Sequence, residues 1–285
     1  MTVEITGATC LAGVVGNPIR HSLSPHIHNR WLARSDLDAV YVAFSPPRTR
    51  FAAFTDGLRG GVVKGLNVTA PFKAEALALA DRRSHRADRA GSANTLIFHE
   101  DGTVEADNTD GQGLVAAFRA QAPELDLGQA PVVILGAGGA ARGAIAGLLD
   151  AGAPEIRIVN RDRRRADELA AIFGDQCRTW DAAHLAPALA EARAVINATP
   201  LGSGSGPSWP IPWGAVDRGC VVMDMVYSPL MTPLLAEARS QGHGIVDGLA
   251  MLIGQARPSY LAFFGIEPPD VDVRSSALAV LRERA

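Results

Sequence analysis

The 285-residue sequence predicts an α/β fold of two domains: an N-terminal α/β domain and a second domain built on a doubly wound parallel sheet. Three observations carry this expectation. Short Val/Ile-rich runs alternate with helix-length segments along most of the chain, the order that layers helices over parallel strands. The pattern breaks after Asp110, where a helix and a linker over 121–130 containing Pro123 and Gly128 separate two such stretches. The second stretch opens on an apolar strand, a glycine-rich turn and a helix, from Pro131 to Asp150, the start of a βαβ unit in a doubly wound sheet. Two domains also suit the length, at roughly 100–200 residues each.

The elements follow in order. Leu11–Val15 reads as a strand that runs into the turn Gly16-Asn17-Pro18. A helix from about Pro25 to Ser35 comes next, with Ser24 as its expected N-cap and Pro25 in its first turn. On that helix His26 and His28 are expected at the surface. Ala39–Phe44 is β-rich, Phe51–Leu58 helical and Gly65–Thr69 a strand end. Pro71 opens a helix through Ala80, and Asn94–His99 pairs with Thr103–Ala106 as a hairpin around Asp101-Gly102. Gly113–Ala122 is helical. In the second domain Pro131–Leu135, Ile156–Asn160, Ala194–Ala198 and Cys220–Met225 are strands, and Arg163–Phe173 is a helix. The Gly/Ser/Pro-rich stretch Gly202–Pro212 is a surface loop. Helical patterns over Gly248–Arg257 and Val271–Arg284 close the chain and are assigned back to the first domain. The expected division is 1–110 plus 248–285, and 111–247.

Composition narrows the function. No apolar run approaches the ~20 residues of a membrane span, and Met1-Thr2-Val3-Glu4 lacks the basic start and apolar core of a signal peptide. Cys10, Cys177 and Cys220 are scattered, with no C-x-x-C pair and no histidine at ligand spacing. That argues against a disulfide framework or a metal site and suits a reducing cytoplasm. A net charge of −3 gives no electrostatic reason to expect nucleic acid. Of the 27 basic residues only Lys64 and Lys73 are lysines. Arginine therefore serves for ordinary surface charge, and a lysine points to chemistry arginine does not offer.

The turn Gly136-Ala137-Gly138-Gly139-Ala140-Ala141 fits G-x-G-x-x-G/A between a strand and a helix. Gly136 permits the tight turn, Gly138 removes a side chain where backbone must approach a pyrophosphate, and the helix start offers free N–H groups. The next strand ends in Asn160-Arg161, with Arg163, Arg164 and Arg165 behind it. Guanidinium groups there suit a 2′-phosphate, where an acidic residue would suit a 2′-hydroxyl. NADP is thus favoured. Asp162 is a discordant carboxylate, and NAD stays open as the alternative cofactor.

Four segments of the first domain place polar residues at turns or strand ends: Gly16 to Pro25, Asn67-Val68-Thr69-Ala70-Pro71-Phe72-Lys73, Gly91 to Thr95, and Asp107-Asn108-Thr109-Asp110-Gly111. With the glycine turn and Asn197-Ala198-Thr199-Pro200, Asp224-Met225-Val226-Tyr227, Thr232-Pro233-Leu234-Leu235 and Gly248 to Ala256, they resemble the shikimate/quinate dehydrogenase family over nearly the whole chain. The resemblance implies a Rossmann-like cofactor domain, an N-terminal substrate domain, and reversible NADPH-dependent reduction of 3-dehydroshikimate to shikimate in chorismate and aromatic amino acid biosynthesis. It implies that Ser22 and Ser24 hold the substrate carboxylate, that Thr69, Asn94, Asp110 and Gln255 bind ring hydroxyls, and that Tyr227 lies at the substrate. Lys73 becomes the acid/base residue, with Asp110 as its carboxylate. Gly136, Ala137, Gly138, Gly139, Ala140, Asn160, Arg161, Arg165, Thr199, Met225 and Gly248 become cofactor contacts. The implied partner is a small molecule, with no nucleic acid, membrane or metal, and the enzyme is a monomer or homodimer.

Residue chemistry agrees with those roles. A ketone that gains a hydride needs a proton at its oxygen; a lysine can supply one, whereas arginine holds its proton near neutral pH. Many neutral donors and acceptors suit a polyhydroxylated acid. Departures fall on the cofactor side: many relatives have Ser where this chain has Pro200 and Met where it has Ser203. Two other readings remain open. One is a quinate or dual-substrate enzyme using NAD(P), against which Ser22-x-Ser24 favours shikimate. The other is a catalytically silent dinucleotide-binding module, which would be expected to lose Lys73 and Asp110.

Overall fold

A computed structural model describes residues 5–203 and 206–284. The leader reading of Met1-Thr2-Val3-Glu4 lies outside the described residues, as do Gly204 and Ser205 of the expected surface loop. The chain forms two compact units, Met1–Thr109 with Gln255–Val280, and Asp110–Gly254 with Leu281–Ala285. Both are α/β, as the alternation predicts.

The first unit holds a six-stranded sheet of β1 (Cys10–Val15), β2 (Ala39–Phe44), β3 (Val63–Val68), β4 (Arg82–Arg83), β5 (Thr95–Phe98) and β6 (Val104–Asp107) in the order β2-β1-β3-β5-β6-β4. β1 runs parallel to β2 and β3, while β5 and β6 form an antiparallel hairpin. Its helices are α1 (Ser24–Leu32), α2 (Phe51–Asp56), α3 (Lys73–Leu79) and α4 (His85–Ala90). Phe51 stacks on Phe72 at 4.4 Å within a core that includes Val15, Leu66, Val68 and Leu96.

Two expectations for α1 are corrected. Ser24 is the first helical residue, not the cap; Leu23 takes the cap position and no side chain caps the helix. The Ser24 hydroxyl instead faces the Tyr41 phenol. His28 is fully buried rather than exposed, because it shares the inward stripe of Ile27, Trp31 and Leu32. Its ring stacks on Tyr41 at 4.0 Å, and burial lowers its pKa to about 3. Asn29 fastens α1 to β2: its Nδ2 donates to the Tyr41 carbonyl (2.7 Å) and its Oδ1 accepts from the Tyr41 N–H (3.0 Å).

The second unit holds β7 (Val132–Leu135), β8 (Ile156–Asn160), β9 (Cys177–Asp181), β10 (Ala194–Asn197), β11 (Val221–Asp224) and β12 (Gly244–Val246) in the order β12-β11-β10-β7-β8-β9. Every pairing is parallel. The order reverses between β7 and β10, the switch point of a doubly wound sheet. All four residues of β7 are buried, which explains its unbroken apolar run. The helices are α5 (Asp110–Gln121), α6 (Gly139–Asp150), α7 (Arg163–Phe173), α8 (Leu185–Leu189) and α9 (Pro233–Ser240). α5 meets α6 at glycines: a Cβ on Gly147 would lie 2.4 Å from the Gly111 Cα.

The stretch Gly202–Pro212 is not wholly a surface loop. Trp209 and Ile211 are buried in the core formed with Val133, Leu135 and Val222. α10 (Gly248–Phe264) and α11 (Val273–Glu283) complete the chain. Asp247 caps α10 by accepting from the Ala250 N–H (3.0 Å), and the helix runs past Pro258, beyond its expected end at Arg257. No helix among the described residues is long and apolar enough to cross a membrane.

Candidate active site

In the first unit a set of uncharged side chains gathers around Asn94 and Gln255. The Asn94 amide nitrogen donates to Gln255 Oε1 and to Thr109 Oγ1, each at 3.0 Å. Its Oδ1 accepts from the Thr109 N–H (2.9 Å), while the Thr109 hydroxyl donates to the Gln255 carbonyl (3.0 Å). Behind them Asn67 Nδ2 donates to Ser259 Oγ (2.8 Å) and Thr95 Oγ1 (3.2 Å). Asn67 Oδ1 accepts from the Tyr41 hydroxyl (2.7 Å), which also meets Ser24. The Ser24 N–H donates to Ser22 Oγ (3.2 Å) in the turn before α1. One network therefore joins Ser22, Ser24, Asn94 and Gln255 through Tyr41, Asn67, Thr95 and Ser259. Buried polar groups this well matched hold their rotamers, which preorganises a surface of neutral donors and acceptors.

Thr69 follows β3 with its N–H on the Val15 carbonyl (2.9 Å), half-buried. Its methyl group sits where a Cβ on Gly16 would come within 2.4 Å, so the two loops pack tightly. Lys73 is the first residue of α3, half-buried, with its carbonyl accepting from the Ala93 N–H (2.9 Å). Asp110 opens α5 in the second unit and is 4% exposed, and a helix N-terminus favours a carboxylate.

In the second unit the proposed cofactor residues lie at or beyond the carboxyl ends of strands of one parallel sheet. Gly136 follows β7 with φ +120°, and a Cβ there would lie 2.7 Å from the Thr199 methyl. Gly138 and Gly139 are exposed with open space where a Cβ would stand. The first turn of α6 therefore presents its N–H groups outward, a fit for a pyrophosphate. Asn160 Nδ2 donates to the Asp162 carbonyl (2.9 Å), shaping the turn after β8. The discordant Asp162 carboxylate pairs with Arg165 at 3.5 Å, leaving Arg161 exposed and without an ion-pair partner among the described residues. Arg163 and Arg164 pair along α7 with Asp167 and Glu168.

Thr199 is saturated. Its hydroxyl donates to Asn197 Oδ1 (2.6 Å) and accepts from the Leu201 N–H (3.2 Å) and the Trp209 indole N–H (3.3 Å). Its N–H is also held, by Asn197 Oδ1 (3.0 Å), so only its methyl and carbonyl remain for a ligand. Met225 packs half-buried beside the core, and burial pushes the Tyr227 phenol pKa up. Gly248 has no space for a side chain, since a Cβ would lie 2.6 Å from the carbonyl oxygens of both Met225 and Val226. Tyr41, Thr95, Ser259, Asn197 and Asp224 have no role assigned from the sequence; Thr95, Asn197 and Asp224 stand inside motifs it displays, while Tyr41 and Ser259 carry no local signal.

A doubly wound sheet with an open glycine turn at its reversal defines a dinucleotide-binding α/β protein, here joined to a unit carrying a cluster of neutral hydrogen-bonding groups. Residues 14–96 match the family described as Shikimate dehydrogenase substrate binding domain, and residues 119–202 the family described as Shikimate / quinate 5-dehydrogenase. The chain is 53% identical to the shikimate dehydrogenase (NADP(+)) of Caulobacter vibrioides over 99% of its length and 100% of that protein. It also matches the shikimate 5-dehydrogenase of Listeria monocytogenes in complex with shikimate and NAD, with TM-score 0.88, 30% identity and 99% of each chain covered. The Thermus thermophilus enzyme in complex with NADP(H) and shikimate gives TM-score 0.84 and 32% identity over 97% of this chain and 99% of that one. The chain belongs to the shikimate dehydrogenase family.

Proposed function

We propose that this protein catalyses the reversible NADPH-dependent reduction of 3-dehydroshikimate to shikimate, in the supply of chorismate for aromatic amino acids. The observation that carries this reading is the neutral network around Asn94 and Gln255. A ligand rich in hydroxyl groups is recognised by such a surface, and an analogue missing a hydroxyl leaves its buried groups unpaired. Ser22 and Ser24 hold the carboxylate, Thr69, Asn94, Asp110 and Gln255 the ring hydroxyls, and Tyr227 lies against the substrate.

On the cofactor side, Gly136 to Ala140 receive the pyrophosphate, and Asn160, Arg161 and Arg165 the adenosine ribose with its 2′-phosphate. Arg161 is the guanidinium left available by the Asp162–Arg165 pair. Thr199 contributes through its methyl and carbonyl, and Met225 and Gly248 complete the edge. NADPH, when bound, supplies the hydride. Lys73 delivers a proton to the oxygen of the reduced carbonyl and removes it in the reverse direction, and Asp110 serves as the carboxylate of that proton chemistry. Residues 1–110 with 248–285 serve as the substrate domain and 111–247 as the cofactor domain. We place the enzyme in the cytoplasm as a monomer or homodimer, where its three scattered cysteines suit reducing conditions.

The test is initial-rate kinetics with two acids and two cofactors. The expected result is a kcat/KM for shikimate with NADP that exceeds quinate with NAD by ~10² or more. An equal or higher value for quinate with NAD would replace this reading with that of a quinate enzyme.

A further inference from the structure

Asp224 closes β11 in register with Asn197 at the end of β10. It is fully buried, and burial raises its pKa. A carboxylate removed from water is costly unless its lone pairs are met, and here three neutral donors meet them. Asn197 Nδ2 donates to Oδ1 (3.0 Å), the Val226 N–H donates to Oδ1 (3.0 Å), and the Thr232 hydroxyl donates to Oδ2 (2.7 Å). Thr232 also caps α9, whose N-terminal dipole favours negative charge. A carboxylate accepts all three; an amide would keep the two bonds to its oxygen but turn its N–H₂ toward the Thr232 hydroxyl, reversing the third bond.

Those bonds lead outward to residues at the cofactor edge. Asn197, held by Asp224, accepts from both the N–H (3.0 Å) and the hydroxyl (2.6 Å) of Thr199. The Thr199 methyl in turn lies against Gly136. The Val226 amide bond fixes the segment after Met225, and the carbonyls of Met225 and Val226 form the seat on which Gly248 starts α10. A buried carboxylate that ties the end of β10 and the segment after β11 to the start of α9 is suited to holding the loops at that edge for a ligand.

We propose that Asp224 is a positioning residue for the cofactor: through Asn197 and the Val226 amide it holds Thr199, Met225 and Gly248 where they meet the dinucleotide. This rests on the NADP-binding reading of the same edge. Asp224 touches no reacting atom, so its loss should appear first in cofactor affinity.

The experiment is fluorescence titration of the full-length protein with NADPH, alongside thermal unfolding and steady-state kinetics, for wild type, Asp224→Asn, Thr232→Val and Thr232→Ser. Asp224→Asn is expected to raise the NADPH Kd about tenfold or more, the worth of one or two misdirected hydrogen bonds. Shikimate KM at saturating NADP should rise far less. Thr232→Val should reproduce part of the loss, and Thr232→Ser, which keeps the donor, should recover most of it. A folded Asp224→Asn protein with NADPH Kd within about twofold of wild type, whatever its thermal stability, would reduce Asp224 to a fold residue. Equal rises in NADPH Kd and shikimate KM would also overturn the proposal. If Asp224→Asn does not fold, an unchanged NADPH Kd in Thr232→Val overturns it instead. A wild type that binds NADPH yet oxidises neither acid would refute the proposed activity and leave this test intact; one that does not bind NADPH would refute both.

Discussion

Replacing His28 with phenylalanine should change how the fold responds to acid. His28 is fully buried among Tyr41, Trp31, Tyr260 and Phe263, and neither ring nitrogen has a hydrogen-bond partner among the described residues. Burial therefore holds its pKa at about 3, against an ordinary value of 6.5. The unfolded chain takes up a proton below 6.5 while the native protein resists until about 3, so unfolding gains as pH falls through that window. Each unit of the gap is worth about 1.4 kcal/mol, which gives about 2 kcal/mol lost at pH 5 and about 5 kcal/mol below pH 3. Above pH 6.5 the residue costs nothing through this route. Phenylalanine keeps the stacking on Tyr41 and cannot be protonated. Urea unfolding of both proteins at pH 7 and pH 5 is the assay, with the other acid-sensitive groups, Asp107 among them, cancelling in the comparison. The wild type should lose about 2 kcal/mol more than His28→Phe between the two pH values. Losses equal to within about 0.5 kcal/mol would show that His28 is hydrated or paired in solution and refute the reasoning.

The glycine turn gives a contrasting pair. Gly136→Ala must adopt φ +120° against the Thr199 methyl and should cost the fold ~1–3 kcal/mol, seen as a lower Tm. Gly138→Ala meets open space, so its Tm should stay within about 2 °C while KM for NADP rises about tenfold; the opposite pattern would reverse the two assignments. Arg161→Ala should lower kcat/KM for NADP by ~10–100-fold and change NAD turnover little, since only the former carries a 2′-phosphate. Equal losses with both cofactors would remove Arg161 from that role.

The second sheet was the more legible half of the fold. A fully buried parallel strand such as Val132–Leu135 announces itself as an unbroken apolar run, and the glycine turn after it fits one context. The short elements β9, α8, α9 and β12 were not expected from the sequence. The five-residue β9 has only Cys177 buried, and α8 is a five-residue turn; neither is long enough to show a period. α4 was missed although Ser84 caps it and Gly91 ends it with φ 58°. Trp209 was misread because the Gly, Ser and Pro around it signal a surface loop, while its own burial is decided by Val133 and Val222, of which Val133 is far away in sequence. At the site, residues inside compact motifs could be named because those motifs carry the family resemblance. Tyr41 and Ser259 could not, because each reaches Asn67 from another element and has no neighbouring signal.

The central claim is that Lys73 handles the proton while the neutral network binds the acid. Its most direct test is steady-state and binding measurement on Lys73→Ala with shikimate and NADP. The expected result is that kcat falls by ~10²–10⁴ while shikimate Kd changes only a few-fold. A variant with full kcat, or one whose loss lies wholly in shikimate binding, would contradict it.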